Sequence, residues 1–299
     1  MSEIRHFLEV DDLTPEELEE VLVLGQSQAL HRVMEGRGAA LLFEKPSART
    51  RHSTEMAVVQ LGGHPVYVRP DEVGIDTRET AEDVARTLSQ FHAAICARVF
   101  DHAVLERMAG AGSVPVVNLL SDAAHPLQAV ADLLTIAAER GLTGTSLAWV
   151  GDFSNVARSL AIASAMVGVE VRVASPEGYG PSADDLARVR ALGGTIAVAG
   201  TPAEAVAGVD AVSTDAWYSM GQEAEAAARR PLFEPYRVDA ALMAQAGPEA
   251  IFLHCLPAHR GEEVTDEVLD GPASRVWPQA ANRLHAARAV LAHLLGVRP

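Results

Sequence analysis

The stretch "GAALLFEKPSARTRHSTEMAVVQLGG", residues 38–63, decides the fold. Its first six residues form an unbroken apolar run, which predicts a strand buried on both faces. "SARTRHSTEMAVVQLGG" reads as a helix, leaving "EKPS" as the turn between them. A strand feeding directly into a helix is the repeating unit of a parallel sheet, and the carboxyl ends of such strands are where α/β sheets bind ligands. The turn gathers Lys45, Arg49 and Arg51 among the hydroxyls of Ser47, Thr50, Ser53 and Thr54. A helix starting at Ser47 offers free N–H groups and the positive end of its dipole, with Ser47, Thr50 and Thr54 on one face. Arg49 adds a planar fork of donors suited to phosphate. Taken alone, the segment fits either an anion site or a solvated first turn in which Ser47 is only an N-cap.

The same alternation extends in both directions. Upstream, Thr14, Pro15 and Glu17 open an amphipathic helix in capping-box arrangement, with Leu18, Val21 and Leu22 at helical spacing. Downstream, "HPVYVR", "AAICARVF" and "VPVVNLL" read as strands separated by helical stretches such as "TAEDVARTLSQF". A long helix follows in "HPLQAVADLLTIAAERG", with Leu127, Val130 and Leu134 on one face and Gly141 as its stop. After "LTGTS" the pattern restarts with "SLAWVGD", "VEVRVASP", "TIAVAG", "DAVSTDAW" and "AIFLHCLP" as strands. The expected fold class is α/β, with two doubly wound domains, each a central parallel sheet flanked by helices. The expected domains are residues 1–140 and 141–278, with the boundary near 138–145. The final helical segment, 279–299, is expected to return to the first domain, burying Leu284, Ala287, Val290, Leu291 and Leu294.

Composition narrows the function classes. At 299 residues the chain is at the size where single cores split. With 24 basic and 40 acidic side chains its formal charge is −16, which repels nucleic acid and anionic membranes, so neither is an expected partner. Any anionic ligand must be met by a local cluster. No apolar run reaches the roughly 18 residues of a membrane span, and "MSEIRHFLEVDD" turns acidic at once, so a cytoplasmic protein is expected. Cys96 and Cys255 are expected to stay reduced. Neither CxxC nor HExxH spacing occurs, so no metal is expected. "WVGDFSN" lacks the glycines of a dinucleotide fingerprint.

Several further polar stretches sit at predicted strand ends: "ARVFDH" with Arg98, "SDAAHPLQ" with His125 and Gln128, "VGDFSN" with Asn155, "DAWYSMGQE", "LHCLPAHR" and "ANR" with Arg283. Singly, each has a structural explanation: His125 can cap its helix, Cys255 can be a small buried hydrophobe, and Ser219 to Gly221 can be a turn. Together they resemble the aspartate/ornithine carbamoyltransferase superfamily along nearly the whole chain. The family's S-T-R-T appears as Ser47-Ala48-Arg49-Thr50, and its H-P-x-Q as His125 to Gln128. "DAWYSMGQE" and "HCLPAHRGEEV" mark the ornithine branch.

That resemblance implies carbamoyl transfer from carbamoyl phosphate to the δ-amine of L-ornithine, with no cofactor, in a homotrimer. It implies that Ser47, Ala48, Arg49 and Thr50 hold phosphate, with Arg98 bridging phosphate and carbonyl. His125 and Thr50 would hold the carbonyl oxygen, and Gln128 and the Leu256 carbonyl the carbamoyl NH2. Arg283 would reach the ligand from the final helix. Asn155, Asp215, Ser219 and Met220 would bind the amino-acid end of ornithine, with Cys255 beside its δ-amine. Arg98, His125, Asp215 and Cys255 are thus the implied catalytic set. Neighbouring possibilities are a transcarbamylase for N-acetylornithine or putrescine, and a non-catalytic carbamoyl phosphate-binding protein. Three positions depart from the family pattern: Ala48 where Thr is usual, Ser154 in place of the first Asn of a pair, and Glu72 where many relatives have Gln in a loop that reaches a neighbouring subunit.

Overall fold

A computed structural model of the chain describes residues 4–29, 31–218 and 225–299. They form two compact units, one of residues 1–131 with 281–299 and one of residues 132–280. The division passes through two helices.

The first unit runs α1 (Pro15–Gln26), β1 (Gly38–Phe43), α2 (Ala48–Gln60), β2 (His64–Val68), a short α3 (Pro70–Val73), α4 (Ala81–Leu88), β3 (His92–Arg98), α5 (His102–Ala111) and β4 (Val116–Leu120), and ends within α6 (Pro126–Arg140). The four strands are parallel, in the order β2-β1-β3-β4. β1 and β3 are apolar and buried nearly throughout because both faces are covered, whereas the edge strand β2 alternates. Ala40, Leu42, Ile95 and Ala97 pack against Val84 of α4 and against Leu105 and Met108 of α5. Strand order reverses between β1 and β3, so the turns after those two strands flank one crevice.

The capping box expected at α1 is present: Glu17 N–H donates to the Thr14 hydroxyl, and the Glu17 carboxylate accepts the Thr14 N–H. The same carboxylate takes the Arg5 guanidinium, which pulls its pKa down to about 2. The carbonyls left open at the end of α1 are met by the buried Arg288, which donates to Ser27 O at 2.7 Å and to Gly25 O at 3.3 Å. Arg288 also donates to Gln60 Oε1 at 3.0 Å.

The second unit takes up the rest of α6, then β5 (Ser146–Val150), α7 (Asn155–Met166), β6 (Glu170–Ala174), α8 (Ala183–Ala191), β7 (Ile196–Val198), α9 (Pro202–Val206), β8 (Ala211–Thr214), α10 (Ala226–Phe233), α11 (Ala240–Met243), β9 (Ile251–His254), α12 (Asp266–Leu269) and the start of α13 (Val276–Leu294). Its five parallel strands are ordered β7-β6-β5-β8-β9, with the reversal between β5 and β8. There the Thr214 hydroxyl donates to Val150 O at 2.6 Å. Ala148, Val150, Val212 and Phe252 form the sheet side of a core closed by Val206, Leu242 and Val268.

α6 is buried well beyond one stripe, with Ala129, Val130, Ala131 and Leu133 inaccessible alongside Leu127 and Leu134. Gly141, at φ +76°, ends it by donating to Ala137 O, as its sequence position predicts. Both cysteines are free thiols. Among the described residues no helix is long and apolar enough to cross a membrane.

Candidate active site

In the first unit, the turn after β1 delivers the chain to α2 with Ser47 as N-cap. The Ser47 hydroxyl donates to Thr50 Oγ1 at 3.0 Å and accepts the Thr50 N–H at 3.4 Å. No acidic residue occupies the first turn of α2, so nothing there neutralises the helix dipole. Arg49, half-buried, is the second residue of the helix.

Arg98 is the last residue of β3 and pairs with Phe43 at the end of β1, across the strand-order reversal. The pairing of β3 with β4 is irregular between Ala97 and Arg98, a bulge that re-aims the arginine. Its Nη1 donates to Thr50 Oγ1 at 3.4 Å. His125 stands immediately before α6, and its carbonyl accepts the N–H of Gln128 one turn on, setting both side chains at the head of that helix. From α13, Arg283 donates to Thr50 Oγ1 at 2.6 Å and to the Gln128 side-chain carbonyl, and its Nη1 lies 3.4 Å from His125 Nε2.

Two guanidiniums thus converge on one hydroxyl, with Thr50 2%, Arg98 5% and Arg283 7% exposed. The acceptors in these contacts are neutral. The field they create registers on His125, whose pKa falls well below the ordinary histidine value through burial first, then Arg283, then Arg98. The imidazole is neutral at physiological pH, and the Arg283 contact makes Nε2 its acceptor side. A desolvated pair of guanidiniums at a helix N-terminus is suited to an anion.

In the second unit, the turns after β5, β8 and β9 carry Asn155, Asp215 and Cys255. Asn155 is the first residue of α7. Ser154 is its N-cap by position but makes no side-chain capping bond. Cys255 Sγ donates to Asp215 Oδ1 at 3.1 Å, and the same oxygen accepts the Ala216 N–H at 2.8 Å. Burial pushes the Asp215 carboxyl above its usual value, opposed by His254, Cys255 and the Ala216 N–H.

Behind this pair lies a buried relay that the sequence reading did not single out. His254 Nδ1 accepts the Leu256 N–H at 2.9 Å, and Nε2 meets Glu263 Oε1 at 3.1 Å, with both side chains inaccessible. The His254 N–H donates to Gln279 Oε1, and the Gln279 amide donates to Asp132. This support holds Leu256 at φ +60°, a left-handed conformation that costs a side-chain-bearing residue roughly 1–2 kcal/mol.

Arg229 is a second unforeseen element. It pairs with Asp152 at 2.8 Å and Glu225 at 2.9 Å, and donates to Trp217 O at 3.0 Å. Ser219 and Met220, expected to bind ornithine, lie outside the described residues. Glu72 is the third residue of α3, where its carboxylate accepts the Arg69 N–H at 2.6 Å.

Comparison with known proteins matches each part of the chain to a domain of one family. Residues 5–138 match the family model for the aspartate/ornithine carbamoyltransferase carbamoyl-P binding domain, and residues 143–294 that for the Asp/Orn binding domain. The chain is 46% identical to ornithine carbamoyltransferase of Pyrococcus abyssi, over 98% of this chain and 96% of that one. It is 50% identical to that of Acidothermus cellulolyticus, over 98% and 97%. Among solved structures, ornithine carbamoyltransferase from Pyrococcus furiosus superposes with a TM-score of 0.94 at 44% identity, over 99% of this chain and 98% of that one.

Proposed function

The chain belongs to the aspartate/ornithine carbamoyltransferase family, and from that premise we propose that it transfers the carbamoyl group of carbamoyl phosphate to the δ-amine of L-ornithine, giving L-citrulline and phosphate. The observation that carries the reading is the convergence of Arg98 and Arg283 on Thr50 beside a neutral His125, at the free N-terminus of α2. Residues 1–140 with the end of α13 form the carbamoyl phosphate half, and residues 141–278 the ornithine half, an assignment supported by the matched family models.

Ser47, Arg49, Thr50 and the N–H groups of α2, including that of Ala48, bind the phosphate. Arg98, His125 and Thr50 meet the negative charge that builds on the carbamoyl oxygen as the amine attacks. Donors already in place for such charge contribute about 3–4 kcal/mol each. Gln128 and the Leu256 carbonyl hold the carbamoyl NH2, and Arg283 completes the anion site. Asn155, Asp215, Ser219 and Met220 bind the amino-acid end of ornithine. Its α-ammonium is the counter-ion that a desolvated Asp215 requires. Cys255 lies beside the δ-amine, which has a pKa of about 10 in water and must be held neutral to attack. Its nitrogen bonds to the carbamoyl carbon as the C–O bond to phosphate breaks, and the proton the amine gives up leaves with the departing phosphate. Positioning of the reactants supplies a further part, up to about 7–11 kcal/mol.

We also assign the chain to a homotrimer, on the strength of its family membership. A cytoplasmic site is supported by the free thiols.

The test offers the purified protein carbamoyl phosphate with L-ornithine, N-acetyl-L-ornithine, putrescine, L-lysine or L-aspartate, measuring ureido product and phosphate. Ornithine is expected to lead by at least about a hundredfold in kcat/KM, since a missing polar partner in a buried site is heavily penalised. Preference for another amine overturns the substrate. Tight carbamoyl phosphate binding with no turnover marks a binding protein instead.

A further inference from the structure

A short turn follows Cys255. Glu262 N–H donates to His259 O and Gly261 N–H to Val264 O, both at 2.8 Å, with Gly261 at φ +83°, where a side chain would be strained. The turn sets His259, Glu262 and Glu263 around one point: His259 Nδ1 and a carboxylate oxygen from each glutamate lie within 4.8 Å of one another. His259 Nδ1 is 3.7 Å from Glu263 Oε2.

Each carboxylate divides its oxygens between two tasks. Glu263 Oε1 takes His254 Nε2 and the His259 N–H, and Glu262 Oε1 takes Arg230. Their Oε2 atoms, like His259 Nδ1, are buried without a hydrogen bond. The Glu263 side chain is wholly inaccessible, so its Oε2 is desolvated and directed at His259. The His259 ring is fixed by stacking on Tyr218, with centroids 5.0 Å apart and planes 16° apart.

From this geometry we infer that His259, Glu262 and Glu263 form a binding site for a divalent zinc-class cation. One imidazole nitrogen with two carboxylate oxygens is a donor set for Zn2+ or Co2+ rather than for Mg2+ or Ca2+, which take oxygen ligands. The cation occupies the three buried atoms left without a hydrogen bond, and adds to Glu263 the positive charge that Arg230 already gives Glu262. Arg230, His254 and the Tyr218 ring orient the ligands from behind, as outer-shell partners do in metal sites. The spacing here is H-x-x-E-E on a turn, which neither CxxC nor HExxH describes. The inference does not depend on carbamoyl transfer.

The test titrates the metal-free full chain with ZnCl2 by calorimetry and with CoCl2 by absorption spectroscopy. One Zn2+ per chain is expected, with a Co2+ spectrum free of thiolate charge transfer. His259→Phe keeps the stack on Tyr218 and removes the nitrogen; Glu262→Gln removes one anionic ligand. Each is expected to weaken Zn2+ binding at least tenfold while keeping the parent's circular dichroism in metal-free buffer. Should one variant fail to fold, the other carries the test. No uptake by the parent at millimolar metal, undiminished affinity in the folded variants, or a thiolate band placing the metal on Cys255 would each overturn the site.

Discussion

The reversal between β1 and β3 and the reversal between β5 and β8 have the same topology and opposite electrostatics. At the first, two buried guanidiniums converge on Thr50 and, together with burial, hold a histidine in its neutral form. At the second, a buried carboxyl is driven toward its protonated form, with a thiol as its hydrogen-bond donor. Parallel sheets provide a crevice at such a reversal without specifying the sign of what fills it; the turn residues do that.

Removing the first half's charge should break the comparison most severely. Arg98→Met, similar in length but uncharged, should lower kcat/KM by about a thousandfold, the upper range for losing one transition-state donor. Its thermal midpoint should stay within a few degrees of the parent, because an apolar chain replaces a buried cation. Equal losses of activity and stability would show Arg98 to be a structural strut.

The second half should respond in the opposite sense on stability. The folded-state pKa of Asp215 is raised, so stability falls as pH climbs from the unfolded value of about 3.9 through the folded one, and the penalty persists above it. Asp215→Asn should therefore melt higher at pH 7 while losing about a hundredfold in kcat/KM for ornithine, near 2.7 kcal/mol. A lower melting temperature at pH 7 would mean that the carboxylate is paired rather than strained.

Arg49→Lys keeps the charge but loses the fork, and should weaken carbamoyl phosphate binding by at least about tenfold, near 1.4 kcal/mol. Unchanged affinity by calorimetry would remove Arg49 from the site.

A smaller effect concerns His125, whose depressed folded pKa means that only the unfolded chain takes the proton just below about pH 6.5. Stability should fall as pH drops from there, and His125→Asn should make that fall shallower. It should not abolish it, because His6, His92, His285 and His293 are depressed by burial as well. Thermal melts at pH 7 and pH 5 measure the difference.

The smallest effect is expected from Glu72→Gln, since a Gln carbonyl can accept the same Arg69 N–H. Loss of a charge near a phosphate should lower the apparent KM for carbamoyl phosphate by no more than about threefold, the scale of an exposed charge interaction. A rise would show that Glu72 points elsewhere.

The sheets and their strand ends were legible because both faces of a parallel strand are buried, which leaves apolar runs bounded by polar turns: "GAALLF" and "SLAWV" announce themselves. The α1 capping box and the Gly141 stop are local, and were read for the same reason. What escaped reading is long-range. Thr50 meets Arg98 across 48 residues and Arg283 across 233, and no periodicity encodes such meetings. Resemblance suggested Thr50, Arg98 and Arg283 as ligands of one substrate, but not that the two arginines hydrogen-bond to the Thr50 hydroxyl. The His254–Glu263 relay and the Arg229 bonds to Asp152 and Trp217 were missed because charged residues near turns look solvated in a sequence; these are buried. Positive φ at Leu256 has no sequence signal at all.

Arg283 reaches Gln128 from 155 residues further along the chain, and this separation bears on biosynthesis. A ribosome adding about 5–20 residues per second makes Ser47, Arg98, His125 and Gln128 roughly 8–50 seconds before it reaches Arg283. Throughout that interval the nascent first sheet carries Arg98 but not Arg283, and none of the hydrogen bonds that join Arg283 to Thr50 and Gln128. A chain released just before Arg283 lacks that arm of the anion site while keeping every strand of both sheets. Translation therefore licenses ligand capture last, and a frameshift just upstream of Arg283 should silence the enzyme before it melts the sheets.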